Sequence, residues 1–143
     1  MSSNADLYEA DIVLWSERQA DALRRRPNNE IDWENVAEEI EDVGRSQLNA
    51  VESLLTQAVL HDLKAQAWPL SRDVENWRAE ARLFRRQARR RFPESMRQKI
   101  DLAGLYADAL AGLPATMDGQ APMPVPETCP VTLDGLLSEG TNA

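Results

Sequence analysis

From Asp32 to about Ala67 the chain reads as one amphipathic helix, and any fold must be built around it. Its apolar stripe, Trp33, Val36-Ala37, Ile40, Val43-Gly44, Leu48, Val51, Leu54-Leu55, Ala58-Val59 and Leu63, keeps the three- and four-residue steps that bury one helical face. At 1.5 Å per residue such a helix is about 50 Å long, and Gly44 is the place to expect a bend. Asp32 is a suitable N-cap, and Glu34, Glu38, Glu39, Glu41 and Asp42 complement the positive end of the helix dipole. Beyond Leu54 apolar residues wrap more of the circumference, so the C-terminal half is expected to lie deeper. Trp68-Pro69 ends the helix, because proline disfavours helical geometry at the residue before it.

The flanking segments supply partners. Before Arg26, Tyr8, Ile12, Trp15, Gln19 and Ala22-Leu23 follow helical steps, with Asp6 as a cap and Arg24-Arg25-Arg26 at the negative end of the dipole. Pro27-Asn28-Asn29 breaks that helix. Ser71 or Asp73 can cap a third helix running to about Phe92, with Val74, Trp77, Ala81, Phe84 and Ala88 inward. A fourth, from about Glu94 to Leu113, is expected to bury Met96, Ile100, Ala103, Tyr106-Ala107 and Leu110. Pro114, Gly119, Pro122, Pro124, Pro126 and Pro130 then exclude regular helix, until Thr132 caps a short terminal helix carrying Leu133, Leu136 and Leu137. The expectation is a single all-α domain: a helical bundle of about four helices over residues 1–113, and a proline-rich tail with a short docking helix over 114–143.

A chain of 143 residues that is 43% hydrophobic can bury a core without a metal or disulfide staple. The one cysteine, Cys129, cannot form an internal bridge, which suits a reducing compartment. No apolar run approaches the roughly 20 residues of a bilayer span, and no secretory start is present. A cytoplasmic protein without membrane association is expected. The net charge of -8 works against whole-molecule attraction to nucleic acid.

Charge is nevertheless segregated. Nine of the 16 basic residues lie between Arg78 and Lys99 (Arg78, Arg82, Arg85, Arg86, Arg89, Arg90, Arg91, Arg97 and Lys99), and Arg78, Arg82, Arg85 or Arg86, and Arg89 share a helical face. Such a stripe either pairs with the acidic start of the long helix, or is a solvated face, or meets a phosphate or an acidic partner through planar guanidinium donors. The carboxylates Glu34, Glu38, Glu41 and Asp42 lie close on a helical wheel, but the Glu-x-x-His pairs of a di-iron bundle are missing. A carboxylate-only magnesium site survives that test, but the helix dipole already accounts for acidic N-terminal turns, and no metal or other cofactor is expected. His61-Asp62 has the form of a general base with an orienting acid, yet no nucleophile can be set beside it, and His61 reads first as a core or boundary residue. Cys129 lacks a Cys-x-x-Cys partner and reads as packing in the tail, as the four tryptophans read as core. Glycine-rich phosphate loops and zinc spacings are absent.

Several blocks together resemble a known family: Tyr8-x-x-Asp11 to Trp15; the run Ile31 to Ser46 with its Glu-Glu-x-Glu-Asp-x-Gly-Arg-Ser core; Leu60-His61-Asp62-Leu63-Lys64; Trp77-Arg78; and Pro126-Glu127-Thr128-Cys129-Pro130. They are similar to the bacterial family catalogued as domain of unknown function 29, common in cyanobacteria and proteobacteria. The resemblance covers nearly the whole chain. It implies an all-helical fold and no activity. Family members usually continue with acidic and aromatic residues after the Cys-Pro segment, whereas this sequence ends at Ala143.

Three functions follow as expectations. The first is a non-enzymatic protein-interaction module, its candidate contact residues being Glu38, Glu41, Asp42, Arg45, His61, Arg78, Arg82, Arg85, Arg86 and Arg89. The second is a nucleic-acid-binding accessory protein using the Arg78–Lys99 stripe. The third is an enzyme using Glu38, Glu41, Asp42 and His61 with a divalent ion. A protein partner is expected, and monomer and homodimer stay open.

Overall fold

The computed structural model describes residues 4–25 and 33–138. Among these residues six α-helices occur in the order α1 (Asn4–Ala10), α2 (Ile12–Arg24), α3 (Trp33–Ala67), α4 (Val74–Arg91), α5 (Leu102–Ala111) and α6 (Leu133–Leu137), with a 3₁₀ turn at Glu94–Met96. Among the described residues there is no β-strand, and the all-α expectation holds. The chain forms two compact units, Met1–Ala50 with Phe92–Ile100, and Val51–Arg91 with Asp101–Ala143. The 35-residue α3 contributes its first part to one unit and its remainder to the other.

In the first unit the N-terminal segment is two helices rather than one. Asp11 adopts φ -154 and ψ 89, and its side chain accepts from the Leu14 amide at 3.0 Å, which starts α2 afresh. Ser95 Oγ donates to the same carboxylate at 2.7 Å. A one-residue break leaves the apolar spacing intact, so periodicity alone joins the two. Asp6 lies in the first turn of α1 instead of capping it. Tyr8 and Trp15 meet edge to face across the break, ring centroids 4.9 Å apart. Asp32, the expected cap of α3, and the Pro27-Asn28-Asn29 break lie outside the described residues, as does Arg26.

No interruption of α3 occurs at Gly44. The glycine instead lets α2 approach: a Cβ built there would lie 2.5 Å from Ser16 Oγ and 3.6 Å from Val13 Cα. Ser16 and Val13 are themselves buried. On the same part of α3, Val36 and Val43 are 38% and 39% exposed, against the expectation that they face inward; Ala37 and Gly44 hold the buried line between them.

The second unit carries the deeper half of α3, as its wrapping apolar surface predicts. Val51, Leu55, Ala58, Val59 and Leu63 are buried, each large aliphatic contributing about 2 kcal/mol by leaving water. They share the unit with Trp77, Ala81 and Ala88 of α4, Leu105, Tyr106 and Ala109 of α5, and Leu136 and Leu137 of α6. The expected fourth helix is also divided. Its first turn is 3₁₀ and belongs to the first unit with buried Met96, while α5 begins only at Asp101, whose side chain accepts from the Gly104 amide at 3.0 Å. That new start shifts the buried face to Leu105, Tyr106 and Ala109 and leaves Ala103 and Ala107 exposed.

The tail is extended and stitched down in steps. Met117 and Gln120 exchange backbone hydrogen bonds of 3.0 and 2.9 Å around Asp118 (φ 52) and Gly119 (φ 77), a two-residue turn with both central residues left-handed. Gln120 O also accepts from Trp68 Nε1 at 3.0 Å, and the Met123 amide donates to Ala67 O at 2.8 Å, satisfying a carbonyl left open by the end of α3. Tyr106 Oη donates to Pro126 O at 2.6 Å. Thr132 then caps α6 through the Gly135 amide, and α6 packs on α4 as expected from its leucines.

Candidate functional site

The sequence-marked residues separate into clusters with their own partners. In the first unit, Arg24 reaches Glu34 at 3.3 Å, Glu38 at 3.6 Å and Glu41, while Arg45 reaches Glu38 at 3.7 Å, Glu41 at 3.5 Å and Asp42. The hydrogen bond from Arg24 holds the Glu41 carboxyl below its ordinary range, and the same bond raises the Arg24 guanidinium. Four of the five carboxylates at the start of α3 are therefore ion-paired within their own unit, sharing two arginines between them. These carboxylates are ion-paired, and no group of three or more His, Cys, Asp or Glu residues among the described residues is placed to hold a metal.

His61 belongs to a different cluster. Its Nδ1 lies 2.7 Å from Gln57 O and its Nε2 lies 2.7 Å from Glu80 Oε2, and its ring tilts against Phe84 with centroids 5.4 Å apart. The acid beside His61 is thus Glu80 on α4, and not Asp62. Successive residues on a helix point about 100° apart, so His61 and Asp62 turn to different neighbours. Asp62 meets Arg85, whose Nη1 donates to its Oδ2 at 2.6 Å.

That ion pair opens onto the arginine stripe. On α4, Arg78, Arg82, Arg85 and Arg89 run along the flank beside the buried line Trp77, Ala81 and Ala88. Arg85 is drawn in by Asp62, its side chain 15% exposed, and Arg89 Nη1 donates to Leu137 O at 3.3 Å on α6. Arg78, Arg82 and Arg86 are exposed. Among the described residues neither Arg78 nor Arg82 lies within ion-pair distance of a carboxylate, although Arg78 is near enough to Asp62 to favour its ionised form. The stripe is neither a plain solvated face nor wholly paired: two of its members fasten the fold and two stand open.

Beside these arginines is a cavity of about 440 Å³. Asp62 and Gln66 of α3, Arg78, Arg82 and Arg85 of α4, and Tyr106 of α5 line it together with Val59 and Leu63. The tail closes it with Cys129, Pro130 and Val131, then Gly135 and Leu136 of α6. Burial pushes the Asp62 carboxyl above its ordinary value, outweighing the opposing pull of Arg85, Arg78 and His61. Burial, and secondarily Cys129, raises the Tyr106 hydroxyl as well. Cys129 Sγ donates to Val131 O at 3.3 Å, a contact made by the thiol. Chemically this is an apolar recess with three guanidiniums facing a single carboxylate, suited to holding an anion through planar, two-point hydrogen bonds.

Of the candidate residues, the fold brings Arg78, Arg82 and Arg85 to this cavity. Arg86 stays on the outer side of α4, Arg89 turns to α6, and Glu38, Glu41, Asp42 and Arg45 form the ion network of the first unit. Sequence reasoning did not place Asp62, Gln66, Tyr106 and Cys129 together. The signal available for it was the pair of family-like blocks around Asp62 and around Cys129, both of which reach the cavity wall.

The family model described as "Domain of unknown function DUF29" matches residues 7–141. A solved structure with a similar fold is an alpha-helical protein of unknown function from Rhodospirillum rubrum, 28% identical, covering 92% of this chain and 89% of that one with a TM-score of 0.77. No curated protein matches the sequence.

Proposed function

The chain belongs to the DUF29 family, and from that premise we propose that it is a non-enzymatic interaction module that receives an acidic segment of a partner protein on the arginine flank of α4. One observation carries the reading. Arg78 and Arg82 are exposed and without an ion pair among the described residues, on a helix whose neighbouring arginines are fastened by Asp62 and the Leu137 carbonyl. Neither the Arg78 nor the Arg82 guanidinium has an ion pair among the described residues to give up, so an acidic segment can meet both without breaking the contacts of Arg85 and Arg89 that hold the unit. A module of this kind works in a reducing compartment, where its single thiol stays free.

The test is fluorescence anisotropy with a labelled glutamate-rich peptide. Charge reversal is placed at Arg78, Arg82 and Arg86, because reversal at Arg85 or Arg89 would disturb contacts that hold the unit together. The triple variant R78E/R82E/R86E should lose binding while keeping its helical circular dichroism. Equal binding by the folded variant would remove this flank as the site. Nucleic-acid binding remains the second reading, favoured by the density of arginine on α4. An oligonucleotide that bound with a steep loss of affinity in salt, when the peptide did not bind, would replace the first reading with the second.

A further inference from the structure

We propose that the cavity between α3, α4, α5 and the tail binds a small organic phosphate monoester, its phosphate bridging Arg78 and Arg82 and its apolar body resting on Leu63 and Leu136. The site shares two arginines with the partner-binding reading but does not depend on it, since its ligand is a free small molecule.

Four features converge on this ligand. The volume of about 440 Å³ falls within the range typical of small-molecule sites, and it is large for a water-filled packing defect. The lining combines an aliphatic floor with guanidiniums at one side, matching a molecule with an apolar part and a charged head. The charge balance selects the head. Asp62 answers Arg85 at 2.6 Å, which leaves Arg78 and Arg82 without a counter-charge, so a dianion completes the set where a single carboxylate would leave it half neutralised. Finally, Arg78 and Arg82 are one helical turn apart, a separation of about 6 Å at their Cβ atoms that lets both forks converge on one tetrahedral group.

The walls are also held in place before any ligand arrives. Tyr106 fastens the tail at Pro126, the Cys129 thiol bonds within the tail to Val131 O, and Thr132 starts α6 so that Leu136 turns inward. These contacts need no ligand to form them. A prearranged recess of this sort favours a compact molecule over a long flexible chain.

The experiment uses the purified full chain and two readouts. Calorimetric titration with phenyl phosphate is compared with inorganic phosphate and with phenol, which carry the head and the body separately. Alkylation of Cys129 by iodoacetamide, the only thiol in the chain, is followed in parallel, because an occupant of the cavity must shield it. Phenyl phosphate is expected to bind saturably, more tightly than either fragment, and at ten times its Kd to slow alkylation about tenfold. The R78Q/R82Q variant, altered only at exposed positions, should keep its circular dichroism and lose both effects. Absence of saturable binding at millimolar phenyl phosphate would overturn the proposal. So would binding that leaves the Cys129 rate unchanged, or that survives in folded R78Q/R82Q. A negative result here alongside R78-dependent binding of the glutamate-rich peptide would dismiss the small ligand and leave the interaction module standing.

Discussion

Gly44→Ala tests the close approach of α2 to α3. On an ordinary exposed helix the change would stabilise by roughly 1 kcal/mol, since alanine is the better helix former. Here the added Cβ would sit 2.5 Å from Ser16 Oγ, a buried atom that already donates to Val13 O at 2.8 Å. Neither α2 nor α3 can yield without disturbing buried Val13 and Ala37, so overpacking of about 1–3 kcal/mol opposes the propensity gain. The net expectation is destabilisation of about 1 kcal/mol, measured by urea unfolding. The decisive arm is the double mutant. The other near contacts of the new methyl are no closer than 3.6 Å, so Ser16→Ala removes the obstructing atom and leaves ordinary van der Waals separation. Ser16→Ala alone gives up only a local bond to a helix carbonyl, about 0.5–1 kcal/mol. S16A/G44A should therefore be at least as stable as S16A, with a coupling of about 1–3 kcal/mol across the cycle. Strict additivity, or a stabilising G44A in the native background, would refute the claim that Gly44 serves close approach.

Four further outcomes are expected. Asp62→Asn removes the single carboxylate lining the cavity and frees Arg85, so phenyl phosphate should bind roughly fivefold tighter by titration, and unchanged or weaker binding would contradict the charge balance argued above. Because its folded value lies above the unfolded one, Asp62 favours folding most fully below the unfolded value and loses that contribution as pH rises through the folded value; D62N should flatten this part of the stability-pH curve. Glu41 has the opposite sign: held low by Arg24, it stabilises above its unfolded value and the contribution is lost as pH falls through the folded one, so E41Q should shallow the acid limb of urea unfolding, an effect that 1 M salt should largely suppress. Tyr106→Phe deletes the hydroxyl bond to Pro126 O and should cost about 1 kcal/mol while hastening hydrogen exchange in residues 127–131; unaltered exchange there would show that the tail is held without it.

What could be read from the sequence was whatever depends on neighbours along the chain. The end of α3 at Trp68-Pro69, the start of α6 at Thr132, and the inward Trp77, Ala81 and Ala88 each follow from a local rule of capping, proline geometry or helical spacing. The two misplaced helix boundaries arose from the same rules competing: Asp11 and Asp101 are good caps lying inside runs of helical apolar spacing, which stays in phase across Asp11 but is reset at Asp101, where the buried face moves to Leu105, Tyr106 and Ala109. The cavity was hidden for a different reason. Asp62, Arg82, Tyr106 and Cys129 come from four segments, and nothing local says that α4's arginine flank faces the strapped tail. Only the exposed Val36 and Val43 have no such account; their place in the stripe is sound and the structure leaves them uncovered.

A cationic recess on a chain of net charge -8 constrains how any anion could reach it. At a distance the molecule as a whole repels the ligand, and at physiological ionic strength that repulsion is screened beyond about 8 Å. Arg78 and Arg82 act only inside this range, so capture would owe little to steering and much to contacts formed after entry. Recognition of this type rests on fit, which is why an aryl phosphate should surpass inorganic phosphate although both bring the same charge. It also separates the readings by salt. A small phosphate monoester carries no condensed counterion atmosphere and touches two guanidiniums, so its affinity should fall gently between 50 and 200 mM salt, the window over which a protein contacting many backbone phosphates loses about 10³-fold or more.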